Sequence, residues 1–246
     1  MYELRWFLED KGNNWQQVKN WFYHLPTPPE LDADREPKLN FDNIKKVRME
    51  VYFQCREDIG LKLSRGGLQI KIRSRKAELF HSDAAAEGFL EYWEKKTWKY
   101  LDNEGNDRKK KKRDPVRESF EAEGQKGKRF RTQKVRRLRK FDFNGVEFIP
   151  VDPNKKVAKG LIVELAWVKI NYWSEALYMD LLSLQFELVS EDGENEEDKK
   201  LFKKGIEWTL KQKPGLKAKL KSEESMSYPG FFEQLTPVVY QAGEVK

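Results

Sequence analysis

The residues of this chain with the most chemistry to offer are cations set at every second position of β-patterned stretches. Lys62 falls in GLKLSR, Lys71 and Arg73 in LQIKIRSR, and Arg129, Arg131, Arg137 and Arg139 in the basic run KGKRFRTQKVRRLRK (126–140). Glu3 and Arg5 alternate in the opening YELR, and Arg48 and Glu50 in VRMEVYFQ. Glu164 follows in GLIVELAW, and Gln185 with Glu187 in LLSLQFELV. Successive strand residues point to opposite faces, so each stretch presents one charged face. Neighbouring ammonium and guanidinium groups suit phosphoryl oxygens, which Arg meets bidentately. Carboxylates set among them suit a divalent metal. Turned into a lumen, these faces make a triphosphate-type site; turned outward, they make a wetted sheet surface. Alternation alone does not choose between the two.

Strands and turns must position those residues. VRMEVYFQ (47–54) alternates with Val47, Met49, Val51 and Phe53 on its apolar face, and GLKLSRGGLQIKIRSR (60–75) reads as a hairpin about Gly66-Gly67. Strand character continues at 2–8, 116–121, 128–141, 146–151, 160–173 and 181–189. Helical patterning is expected over 14–24, over 83–101 on Phe89, Tyr92, Trp93 and Trp98, and over 199–212 on Leu201, Phe202, Ile206 and Leu210. SYPGFFEQL (227–235) forms a last aromatic cluster before a tail at 236–246. About eight strands joined mostly by short turns point to an antiparallel meander, closed or open. No internal repeat or low-complexity linker asks for a second domain.

Composition sets the outer bounds. The chain has 246 residues, 48 Lys+Arg against 41 Asp+Glu, and 13% aromatic residues, which suits a folded core over a disordered chain. Lone Cys55 can form no internal disulfide and lacks the setting of a nucleophile, and His24 and His81 are too few for a His-rich zinc site. No apolar run approaches the length of a membrane span, and the start has no apolar leader core, so a cytoplasmic protein is expected. The net charge of +7 is concentrated in RKKKKR (108–113) and in 126–140. Such runs are usual in solvated loops, and they also suit RNA. No P-loop, dinucleotide-binding glycine pattern, zinc-finger spacing or Ser/His/Asp arrangement is present.

The order of segments resembles the CYTH, or triphosphate tunnel metalloenzyme, superfamily. Tyr2-Glu3-Leu4-Arg5 stands where that family has its acid-bearing first strand. Gly60-Leu61-Lys62-Leu63-Ser64-Arg65 and Leu68-Gln69-Ile70-Lys71 follow its G-[IVL]-x-L-x-R and E-x-K strands. Leu184-Gln185-Phe186-Glu187, the acidic stretch 190–198, the segment 199–212 and Ser227-Tyr228-Pro229-Gly230-Phe231-Phe232 follow its closing elements. The resemblance covers most of the chain and rests on the order of short motifs. It implies an α+β domain over 1–235: an eight-stranded antiparallel tunnel-like β-barrel with helices packed outside. It also implies hydrolysis or binding of inorganic or organic triphosphates with Mg or Mn. Glu3, Glu50, Glu164 and Glu187 would then be metal ligands. Arg5, Lys62, Lys71, Arg73, Arg129, Arg131, Arg137 and Arg139 would bind phosphate. The alternatives are a non-catalytic polyphosphate- or nucleotide-binding module, and an RNA-binding protein using 108–113 and 126–140.

The chain departs from the family pattern at three acids. With Arg5 in the lysine position of the family's E-x-E-x-K strand, Glu3 is the second acid and the first falls on Met1. Gln185 and Gln69 stand at the other two acid positions. An amide can ligate through its carbonyl but brings no charge to hold Mg²⁺.

Overall fold

The computed structural model describes residues 1–9, 12–29, 31, 47–53, 57–64, 67–83, 86–98, 129–172, 178–190 and 195–243. Its strands are β1 (Tyr2–Glu9), β2 (Arg48–Phe53), β3 (Ile59–Ser64), β4 (Gly67–Arg73), β5 (Glu78–Ser82), β6 (Ala86–Trp98), β7 (Arg129–Phe143), β8 (Phe148–Val151), β9 (Gly160–Tyr172) and β10 (Tyr178–Val189). Among the described residues, three α-helices accompany them: α1 (Asn13–Tyr23), α2 (Glu196–Leu210) and α3 (Tyr228–Gly243). The hydrogen-bonded order β1-β10-β9-β7-β2-β3-β4-β6 returns from β6 to β1, and every pairing in it is antiparallel. The result is a closed eight-stranded antiparallel barrel, with β5 and β8 as extra strands outside the ring. Closure leaves none of the eight ring strands as a free edge.

The outer face of β1, β10, β9 and β7 carries the larger core. Leu4, Trp6, Val135, Val163, Leu165, Leu182, Leu184 and Phe186 pack there against Trp15, Val18, Trp21 and Phe22 of α1 and Phe202, Ile206 and Leu210 of α2. Asn195 caps α2, its side chain accepting from the Asp198 backbone N–H, and Glu196, Glu197 and Asp198 complement the helix's positive end.

A second cluster lies inside the barrel. Phe7, Tyr52, Phe130, Val168, Ile170 and Leu181 occupy the inward parity of their strands, all toward one end. The first turns of α3 pack over them: Phe232 stacks on Phe130 at 4.2 Å, Phe231 on Phe7 at 4.5 Å and Tyr228 on Tyr52 at 4.9 Å. That end of the lumen is filled with rings, and α3 runs on through much of the stretch expected as a tail.

One expected element changes its type. Within the stretch 83–101 expected as a helix, residues 86–98 are strand β6. The 89/92/93 spacing that suggested a helix is coincidental: Tyr92 and Trp93 are both buried on opposite faces of a strand, while Phe89 and Trp98 stay exposed. Gly88 is suited to a tightly packed strand, because a Cβ there would sit 2.7–2.8 Å from Ser225, Leu4 and Trp6. On β2 the apolar face is the outer one, leaving Val47 and Met49 exposed while Glu50 and Tyr52 are buried inside. Gly12 holds the cap position of α1, and the Asn14 side-chain amide donates to the Lys219 carbonyl. Expected segment 116–121, residues 108–113 and Cys55 lie outside the described residues.

Candidate functional site

The other part of the lumen is polar. Among the described residues, a cavity of about 140 Å³ is lined there by seven bases (Arg5, Arg48, Lys62, Lys71, Lys95, Lys134 and Arg136) and four acids (Glu3, Glu50, Glu164 and Glu187). Ser227, Tyr228 and Pro229, at the start of α3, complete the wall beside the ring-filled end. This brings the positive end of the α3 dipole to the same cavity. Arg48, Lys95 and Arg136 are its solvent-facing bases, whereas Glu3, Arg5, Glu50, Lys134 and Gln185 are all buried.

Three of the four acids are ion-paired with the bases. Glu3 takes Arg5 Nη2 on Oε1 at 2.7 Å and Lys71 Nζ on Oε2 at 2.6 Å. Burial pushes its carboxyl up, but Lys71 and Arg5 outweigh that and hold it at about 2. Glu50 takes Arg48 Nε at 2.6 Å and Lys62 Nζ at 3.0 Å on Oε1. Its Oε2 takes Lys134 Nζ at 2.8 Å and the Tyr52 hydroxyl at 2.9 Å. Burial works against ionisation of Glu50, yet Lys134, Lys62 and Arg48 keep its carboxyl well below the usual range. Glu164 accepts from Arg136 at 3.0 Å. Gln185, opposite Arg5 in the β1–β10 register, accepts from Arg5 Nη2 and donates to Glu187 Oε2 at 3.3 Å. Burial raises the Glu187 carboxyl, Lys71 opposes the rise, and the nearby Glu3 charge adds to it.

Two bases stand out. Arg5 lies 4.2 Å over the Tyr228 ring, and its Nε and Nη1 are buried with no hydrogen-bond partner among the described residues. Buried unpaired donors are costly, and an anion in the cavity is the kind of acceptor that would satisfy them. Lys134 is fixed by Glu50, the Tyr52 hydroxyl at 2.7 Å and the Tyr228 ring at 3.6 Å. Burial drives its ammonium down, Glu50 restores part of that, and the balance falls at about 7.

Of the residues expected to bind phosphate, the structure brings Arg5, Lys62 and Lys71 to the cavity, and all four expected metal ligands with them. Arg73 lies beside it, held by Glu91 at 2.8 Å and Glu57 at 2.6 Å. Arg131, Arg137 and Arg139 are not brought in. They share the parity of Val135, which faces the outer core, and Arg139 lies 5.1 Å over the Phe22 ring of α1. Arg129 opens β7 opposite Phe53, which puts it on that same parity. The inward face of β7 carries Thr132, Lys134 and Arg136 instead. A signal for this was present, since Gln133 and Val135 interrupt the odd stripe while Lys134 and Arg136 sit unbroken on the even one. Trp6 is a core residue, Trp93 is buried where it lines the cavity, Trp167 packs against the core, and Trp98 is exposed. His24 pairs with the Asn20 carbonyl and His81 with Glu87, both at the surface.

The donor set does not suit a divalent metal. Among the described residues no three His, Cys, Asp or Glu side chains are grouped to hold one. The register does set Glu91, Glu3 and Glu187 side by side across β6, β1 and β10. Arg73 is paired with Glu91, however, and Lys71 and Arg5 with Glu3. Comparison with known protein families, curated proteins and solved structures finds no match to this chain. Among the described residues no helix is long and apolar enough to cross a membrane.

Proposed function

We propose that this protein is a binding module for inorganic or organic triphosphates, held in the basic cavity of the barrel. Arg5 carries the reading: a guanidinium buried in the cavity wall with two donor nitrogens left over, where, among the described residues, lining bases outnumber acids by seven to four. Lys71, Lys62 and Lys134 would supply further donors, since an ammonium has three and the acids take only some of them. Arg48, Lys95 and Arg136 would draw the anion in from solvent. The closed antiparallel barrel is compatible with the triphosphate-tunnel resemblance of the sequence. Binding is favoured over hydrolysis because three of the four carboxylates that would orient a water or a metal are already engaged by bases, and the fourth, Glu187, accepts from Gln185.

Thermal unfolding with tripolyphosphate, ATP or sulfate, together with phosphate release, tests this reading. Tripolyphosphate is expected to raise Tm more than sulfate at equal ionic strength, with phosphate release at background. No rise with either triphosphate would overturn the proposal, and release above background would move it to an enzyme.

A further inference from the structure

Resting on that reading, we infer that the cavity takes its polyanion uncomplexed and that divalent cations oppose binding. The ligand class is therefore the bare anion and not its magnesium complex. A magnesium ion demands near-octahedral oxygen ligands at about 2.0–2.1 Å. Glu187, which accepts only from Gln185 among these contacts, would bring a single carboxylate; to supply more, Glu164 would have to release Arg136, Glu3 would have to release Arg5 and Lys71, and Glu50 would have to release Arg48, Lys62 and Lys134. Each release strands a buried or half-buried cation, and breaking a buried pair is strongly unfavourable. The freed bases would then repel the metal.

An anion asks for none of this. Arg5 Nε and Nη1 can donate to it while Nη2 stays on Glu3 and Gln185. Gln185 is central to the difference. Opposite Arg5 and bonded to Glu187, it fills with a neutral amide the place where a second carboxylate would have made an acidic pair on β10. Magnesium bound to a triphosphate in solution masks the charge this cavity recognises, and its coordination shell competes with the Lys and Arg donors for the same oxygens.

Calorimetric titration of tripolyphosphate into the full chain, in EDTA and in excess Mg²⁺ at matched ionic strength, tests the inference. Saturable binding in EDTA, weakened at least about tenfold by Mg²⁺, is expected. Mg²⁺ or Mn²⁺ without anion is expected to leave Tm unchanged. Gln185→Glu is expected to weaken binding in EDTA and to make Mg²⁺ alone stabilising. Affinity that requires Mg²⁺, or rises with it, would overturn the bare-anion inference and leave triphosphate binding intact. Stabilisation of the wild type by metal alone would overturn it too, whether or not the Gln185 variant folds. Absence of tripolyphosphate binding under both conditions would bring down the triphosphate reading itself.

Discussion

The two parts of the lumen are built from the same strands in opposite ways. Toward one end, Phe7, Tyr52 and Phe130 meet Tyr228, Phe231 and Phe232, and the space is filled with stacked rings. In the other part, Glu3, Arg5, Glu50, Lys71 and Lys134 meet one another, and a cavity remains. Ring packing is non-directional and gains by excluding everything, including water. An ion-pair network gains only where each charge finds its partner, so it leaves room and leaves donors over. The dry part fixes the barrel and the start of α3; the charged part is where a ligand has something to offer. Tyr52 and Tyr228 join the two, each with a ring in the dry cluster and a contact to Lys134.

The largest expected effects distinguish the two parts. Glu50→Ala strands Lys62 and Lys134 and should cost about 3–5 kcal/mol in urea unfolding. Phe232→Ala should cost a similar amount, about 3–5 kcal/mol, by opening a hole among the rings. The two variants are then expected to part company: tripolyphosphate should restore much of the stability lost in Glu50→Ala and little of that lost in Phe232→Ala. Equal rescue of both would erase the distinction.

Next in size is Arg5→Met. Loss of charge-assisted donors worth about 1.5–3 kcal/mol should weaken tripolyphosphate binding roughly tenfold to a hundredfold in calorimetry. A pH series follows. Because Lys134 titrates at about 7, affinity should fall above neutrality by up to about tenfold per pH unit. Lys134→Met should flatten that dependence. For the free protein the Lys134 contribution runs the other way. The unfolded lysine keeps its proton to a higher pH than the folded one, so stability from this group rises from about pH 7 toward the ordinary lysine value. Glu3 acts at the acid end: its stabilisation is present above the ordinary carboxylate value and is lost as pH falls toward about 2. The smallest effect is expected at Arg139→Met, with tripolyphosphate affinity changed less than about twofold, because this residue of β7 packs against α1 outside the cavity. A large loss there would contradict the inward parity of β7.

Alternation made the antiparallel strands and the charged faces of β1–β4, β9 and β10 legible, because a half-buried strand must separate its two faces. The same rule failed at β7. A long strand carrying bases on both faces has no polarity of its own, and only its pairing with β2 and β9 shows that Lys134 and Arg136 look inward. β6 was hidden because rings at 89, 92 and 93 also fit a helix, and the close packing on Gly88 cannot be seen in sequence. The filled end of the lumen could not be read either. It depends on α3, remote in sequence, returning to rings on β1, β2 and β7. Glu3 and Glu50 were visible as candidate metal ligands, but their use as partners for Arg5, Lys71, Lys62 and Lys134 depends on closure of the barrel.

The measurement that bears most directly on a basic, ligand-ready cavity is calorimetric titration of tripolyphosphate at pH 6.5, with wild type and Arg5→Met side by side. The account expects one saturable site per chain in the wild type and a clearly weaker one in the variant. Identical isotherms, or no saturable heat in the wild type, would contradict it.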